Sequence, residues 1–256
     1  MNYNKTENNT PVKIDNFVKF HPYGNKPPLV IVHGQQANIF IKGLIEKDQP
    51  FYGYLHPGSD GEEICFTSVT QMAKAYLDQL LRHKPKGPYL LGGFSFGGIL
   101  AFEMAVQLRK LGQEIPLLAL IDTSSPIDRE PFIWHDNFFK LIKSNILVPP
   151  AMRVISTSRL LLCQSYLKFK KPIPLGLRHY YIINKYIKLV RKYQPEKFDG
   201  EILLFRASEN KSLSKCLGWD TFAKGVKIVD IEGDHLTTVG EKARFESIYE
   251  EIKKYF

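Results

Sequence analysis

Gly92-Gly93-Phe94-Ser95-Phe96-Gly97-Gly98 is the stretch that decides the fold of this chain. An apolar run, Tyr89-Leu90-Leu91, leads into it, and a helical pattern leaves it from Ile99. A strand must therefore turn sharply into a helix with Ser95 at the apex, and side chains at Gly93 and Gly97 would collide across so tight a turn. The turn strains the backbone, exposes the Ser95 hydroxyl and sets it at a helix N-terminus, where backbone N–H groups stabilise developing negative charge. A Gly-x-Ser-x-Gly pattern can arise by chance in any glycine-rich loop. Flanked by an apolar strand and an amphipathic helix, it is a far more specific signal of a nucleophile elbow.

Working outward, the chain alternates strand and helix patterns. Asn16–Phe20 reads as an edge strand, and Leu29-Val-Ile-Val32 as a short buried strand broken by His33-Gly34. A short helix is expected over Ala37–Lys47 and a strand over Pro50–Leu55. Ser68-Val-Thr-Gln71 has capping-box spacing ahead of Val69, Met72, Ala73, Tyr76, Leu77, Leu80 and Leu81 at helical spacing, with a stop near Pro85. After the elbow come a helix over Ile99–Leu111 closed by Gly112, and a buried strand over Pro116–Ile121 that ends in Asp122. Glu201–Phe205 and Val226–Ile231 read as two more strands, and a final amphipathic helix carries Ala243, Phe245, Ile248, Tyr249 and Ile252. Strands alternating with helices imply an α/β fold with a mostly parallel sheet and helices on both faces.

At 256 residues with 44% hydrophobic residues, the chain can bury one sizeable core, with one large insertion. Residues 1–12 are polar and read as a flexible leader with no signal-peptide character, which leaves 13–256 as the folded domain. No apolar stretch approaches a membrane span. Cys65, Cys163 and Cys216 are odd in number and lack metal-ligand spacing, so they read as reduced thiols of a cytoplasmic protein, with no metal site. The charge is uneven. Twelve Lys or Arg and no Asp or Glu lie between Asn137 and Pro195, which leaves the remainder of the chain at −3 against a net charge of +9.

A serine hydroxyl needs a base to take its proton, and the base needs an acid to fix its tautomer. Gly233-Asp234-His235 follows the last strand through a glycine turn, so His235 can reach the end of the sheet beside Ser95. Two carboxylates compete for the acid: Asp122 abuts its strand, whereas Glu209 lies in a looser charged loop, and rigidity favours Asp122. Two backbone donors are needed for an oxyanion, and Phe96, directly after Ser95, and Gln35, in the loop after the Leu29–Val32 strand, are the candidates. His33 is expected to shape that loop rather than titrate.

With those residues placed, the chain resembles the thioesterase domains of polyketide and nonribosomal peptide synthetases, members of the α/β-hydrolase superfamily. The resemblance rests on Pro27-Pro-Leu-Val-Ile-Val-His-Gly34, Gln49-Pro-Phe-Tyr-Gly53, Gly87–Gly98, Ala101-Phe-Glu-Met-Ala105, Leu120-Ile-Asp122, Tyr193-Gln-Pro195, Gly200–Arg206, Leu217-Gly-Trp219 and Gly233-Asp-His-Leu236. It implies Asp122 as the acid, 27 residues beyond Ser95, with His235 as the base. It implies no cofactor in the domain itself, since the substrate arrives on the phosphopantetheine arm of a carrier protein. The segment between Gly34 and Gln49 is shorter than the family's by about one helical turn, which bears on the loop of Gln35. Whether the chain is free-standing or the tail of a synthetase is left open.

The family inserts a helical lid after the Asp-bearing strand, here residues 123–192, rich in Phe138-Phe139, Leu160-Leu-Leu162 and Tyr180-Tyr-Ile-Ile183. Such a lid can line an apolar channel for an acyl or peptidyl chain and turn its basic face toward an acidic acyl or peptidyl carrier protein. The alternative is that the lysines only solvate a hydrophobic lid. Nucleic acid is not an expected partner, because no recognition motif accompanies the charge; an anionic membrane surface is a weaker alternative to the carrier. The expected activity is a serine thioesterase that hydrolyses or cyclises the chain through an acyl-Ser95 intermediate. The alternatives are a lipase- or esterase-like hydrolase of oxygen esters and a non-catalytic carrier- or membrane-binding module.

Overall fold

The structure is a computed structural model that describes residues 16–33, 47–128, 150–210, 212, 214–235 and 241–255. The expected leader, Gln35, almost all of the expected 37–47 helix and Phe138-Phe139 lie outside those residues. Among the described residues seven strands form one sheet: β1 (Phe17–His21), β2 (Leu29–Val32), β3 (Phe51–Tyr54), β4 (Leu90–Phe94), β5 (Leu117–Ile121), β6 (Phe198–Ala207) and β7 (Ala223–Ile231). Their order is β1-β3-β2-β4-β5-β6-β7, with β1 antiparallel to β3 at the edge and every other pair parallel. This is the α/β-hydrolase fold the sequence pattern calls for.

Strand pleating divides each apolar run between two cores. Val30, Val32, Leu91, Leu118, Leu120, Ile202 and Leu204 face one core, while Leu29, Ile31, Leu90, Leu117, Ala119, Ile121, Leu203 and Phe205 face the other. Burial on both faces is why these strands read as unbroken apolar runs. The first core is closed by α1 (Val69–His83) and α2 (Phe96–Lys110), the second by Phe245, Ile248, Tyr249 and Ile252 of α5 (Lys242–Lys253). The Ser68 side chain caps α1 by accepting the Gln71 N–H at 3.0 Å. The return arm of the capping box goes to a neighbour: Gln71 Oε1 accepts from the N–H and hydroxyl of Thr67. Helix α2 begins at Phe96, three residues earlier than the expected Ile99, because tertiary contacts hold Gly97 and Gly98 in a helical turn their propensity disfavours. It is buried around most of its circumference, so its pattern is that of an enclosed helix rather than a surface one.

Between β5 and β6 the described residues contain α3 (Pro150–Lys168) and α4 (Leu175–Val190). Helix α4 is fastened to the loop after β3. Tyr181 Oη accepts the Ile64 N–H at 2.9 Å, Arg178 Nη1 donates to Ser59 O at 2.8 Å, and the Ile173 N–H donates to Gly61 O at 2.8 Å. Two of the sequence motifs meet in the first core, where Tyr193 donates to the buried Glu103 carboxylate at 2.6 Å. Gln49 ties the start of β3 to that of β2, donating to Pro27 O at 2.5 Å and to Pro50 O at 3.1 Å.

Candidate active site

Parallel strands bring the residues that follow them to one end of the sheet, beyond the carboxyl ends of the strands. Ser95 follows β4, Asp122 follows β5, and Gly233-Asp234-His235 follows β7. Ser95 has φ 58° and ψ −121°, a strained conformation for a residue with a side chain. The glycines explain how the turn closes. A Cβ on Gly93 would lie 2.2 Å from Gly97 O, so Gly93 permits the turn itself. A Cβ on Gly97 would lie 2.0 Å from Val32 O, so Gly97 clears the neighbouring strand rather than Gly93. Gly98 leaves room for Thr123, whose hydroxyl donates to Ser95 O at 3.1 Å and to Ile121 O at 3.1 Å. Thr123 O in turn accepts from Trp219 Nε1 at 2.6 Å.

Three of the predicted side chains meet in an unbroken hydrogen-bonded chain. Ser95 Oγ lies 2.7 Å from His235 Nε2, and His235 Nδ1 lies 2.6 Å from Asp122 Oδ2. With Nδ1 donating to a carboxylate, Nε2 is left as the acceptor for the serine proton. The imidazole is also stacked against the Phe94 ring, centroids 4.6 Å apart. Burial alone would raise the Asp122 carboxyl, but the hydrogen bond and charge of His235, with further hydrogen bonds from Asn210 and the Ala207 N–H, hold it below the usual carboxylate range. Glu209 is exposed, and its backbone N–H bonds to Gly233 O at 3.0 Å, so it braces the histidine loop while Asp122 holds the ring.

The remaining expectations divide. Phe96 opens α2 next to Ser95, where its amide belongs to the helix N-terminus. Gln35 lies outside the described residues. Ser95 is only 1% exposed, more enclosed than the elbow alone implies, because His235 sits on its hydroxyl and Tyr186 of α4 packs beside Phe96. His33 is fully buried, and burial, with His56 nearby, holds its pKa well below that of a free histidine. Its Nε2 contacts Tyr76 Oη at 3.1 Å, so it shapes the end of β2. Asn210, Thr123, Tyr186 and His56 were not visible from sequence: each acts through contacts between distant segments, and none sits in a spaced motif.

Similarity to known proteins bears on the fold that carries this geometry. The family model described as "Thioesterase domain" matches residues 44–131, a span that includes Ser95 and Asp122. Malpibaldin synthetase of Mortierella alpina is 28% identical over 228 residues, covering 83% of this chain and 4% of that protein. The chain therefore spans only a small part of this curated relative. A four-domain nonribosomal peptide synthetase, solved bound to AMP and glycine, superposes with a TM-score of 0.71 at 23% identity, covering 97% of this chain and 21% of the other. The NocB thioesterase domain, solved in covalent complex with a fluorophosphonate nocardicin G analogue, gives a TM-score of 0.70 at 20% identity, with 94% and 99% of the two chains covered. At such identities the structural likeness is one of fold. In its motifs, its family-model match and its fold, this chain resembles the thioesterase domains of nonribosomal peptide and polyketide synthetases.

Proposed function

We propose that this chain is a serine thioesterase that releases an acyl or peptidyl chain from the phosphopantetheine arm of a carrier protein. The observation that supports this most is the chain of hydrogen bonds from Ser95 Oγ through His235 to Asp122, at 2.7 and 2.6 Å, in a thioesterase-like fold. In this reading His235 Nε2 takes the Ser95 proton as Oγ attacks the thioester carbonyl, and Asp122 stabilises the imidazolium that forms. The amides of Phe96 and Gln35 hold the oxyanion of the tetrahedral intermediate. Its collapse breaks the C–S bond, and the departing thiolate recovers the proton from His235 as the pantetheine thiol. Water, or a nucleophile within the bound chain, then attacks acyl-Ser95 with His235 again as base, giving a hydrolysed or cyclised product. The insertion acts as a lid whose α4 walls the site, and that enclosure limits access of water.

Arg159, Lys168, Lys170, Lys171, Lys188, Arg191 and Lys192 are exposed on α3, α4 and their flanks, which suits the docking of an acidic carrier. The test is turnover of one acyl group offered on a phosphopantetheinylated carrier, as a free small thioester and as its oxygen ester, with Ser95→Ala as blank and at low and high salt. Ser95-dependent turnover that prefers the carrier and weakens with salt supports both release and docking. Equal turnover of carrier and free thioester returns the basic residues to solvation. Turnover of the oxygen ester alone makes the chain an esterase, and no Ser95-dependent turnover of any of the three overturns the reading.

A further inference from the structure

Asp122 is gripped from both sides. Oδ2 faces His235 Nδ1 at 2.6 Å, while Oδ1 accepts from Asn210 Nδ2 at 2.9 Å and from the Ala207 N–H at 3.2 Å. The Asn210 amide has a fixed orientation, because its own oxygen accepts the Ser212 N–H at 3.0 Å and so turns the nitrogen toward Asp122. The Asn210 N–H bonds to Ala207 O at 2.9 Å, closing a turn directly on the end of β6. That turn also reaches the histidine loop: Ser208 Oγ accepts the Gly233 N–H at 3.0 Å, and the Glu209 N–H donates to Gly233 O at 3.0 Å. The turn 207–210 therefore touches both the carboxylate and the loop that carries the imidazole.

We propose that Asn210 is a positioning residue, holding Asp122 Oδ1 so that Oδ2 stays aligned with His235 Nδ1 and His235 Nε2 stays on Ser95 Oγ. Without it the carboxylate keeps, among the described residues, only the longer Ala207 bond on that oxygen, and its terminal torsion is intrinsically broad. The donor meets an ionised acceptor in a buried place, where such a bond is stronger than a neutral one. Among the described residues His235 is the titratable side chain that bears on the Asp122 carboxyl; burial opposes the charge of that carboxylate, so each donor helps keep it ionised. The inference takes from the proposed function only that this Ser95–His235–Asp122 chain is the reactive one.

Two variants separate donation from packing. Asn210→Ala removes the donor, and Asn210→Asp keeps the size but puts an acceptor against Asp122. The first readout is the rate at which an alkyl fluorophosphonate labels Ser95 from mildly acidic to alkaline pH. The second is the pH at which the downfield proton resonance of the Asp122–His235 hydrogen bond disappears. Circular dichroism confirms that each variant is folded. For Asn210→Ala we expect labelling slowed about tenfold, and an acid limb and loss of resonance moved up by about one pH unit. Asn210→Asp should move both further in the same direction. A limb and a resonance that coincide with wild type in both variants would overturn the proposal even if rates fall, since general loosening gives that pattern. If wild type leaves Ser95 unlabelled yet the resonance still moves in Asn210→Ala, the positioning role stands and the nucleophile reading falls.

Discussion

The rings of Tyr186 and Phe96 lie face to face, centroids 3.9 Å apart and planes 14° from parallel. Tyr186 also stacks on His33, centroids 5.6 Å apart, and its hydroxyl is 3.1 Å from His56 Nδ1. One residue of the insertion thus braces the residue after the elbow serine and the end of β2, the two places from which oxyanion donors are expected. Tyr186→Ala should destabilise the protein by about 3–5 kcal/mol, the range for truncating a large buried ring. Tyr186→Phe keeps the stack and should cost only about 1 kcal/mol for the lost hydrogen bond. Urea denaturation reads both, and equal losses for the two variants would mean that the hydroxyl, not the stack, does the bracing.

The elbow glycines predict a contrast between two substitutions of the same kind. Gly93→Ala drives a methyl into backbone, 2.2 Å from Gly97 O, and should cost about 1–3 kcal/mol or more together with loss of Ser95 labelling. Gly176, in the first turn of α4, has open space around it. Gly176→Ala should therefore stabilise by about 0.5–1 kcal/mol through helix propensity alone. Equal midpoints in a denaturation series would remove the steric account of the elbow.

Strain at Ser95 gives a third expectation. With φ 58° and ψ −121°, the position stores energy that a glycine would not. Ser95→Gly should be more stable than Ser95→Ala by about 1 kcal/mol. A higher melting temperature for the alanine variant would show that the elbow is relaxed.

Acid should weaken the fold through the buried histidines. Burial, with a smaller contribution from His179, pushes His56 down to about 4, and burial lowers His33 as well. The unfolded chain takes up protons near the free-histidine value of about 6.5, whereas the folded chain does so only near about 4. Stability from this site is therefore complete above the unfolded value and is lost as pH falls through the window between them. Asp122 contributes separately: its folded value lies below its unfolded one, so its share is lost at still lower pH. His56→Gln should flatten the decline in the histidine window. An unchanged slope in denaturation midpoints against pH would exclude His56 as its source.

Much of this molecule was legible in the chain because local rules govern it. The apolar runs at 29–32, 90–91 and 117–121 became strands buried on both faces, and Ser68 capped its helix as its spacing implied. The glycines around Ser95 declared the elbow, since only glycine fits so close a backbone approach. The first turn of α2 was hidden by the same glycines, whose low helix propensity is overridden by packing.

The sequence by itself determined where strands turn into helices and which residue types stand at those turns, because periodicity, caps and glycine spacing act over a few residues. Only the tertiary structure decided which of those residues meet. Asp122 and Glu209 both follow strands, yet the order β5-β6-β7 sets Asp122 against His235 and leaves the Glu209 side chain exposed. The same order brings Asn210 onto Asp122, and the seating of α4 brings Tyr186 onto Phe96. Such pairings depend on how distant segments are stacked side by side, and a pattern read along one chain carries no record of that distance.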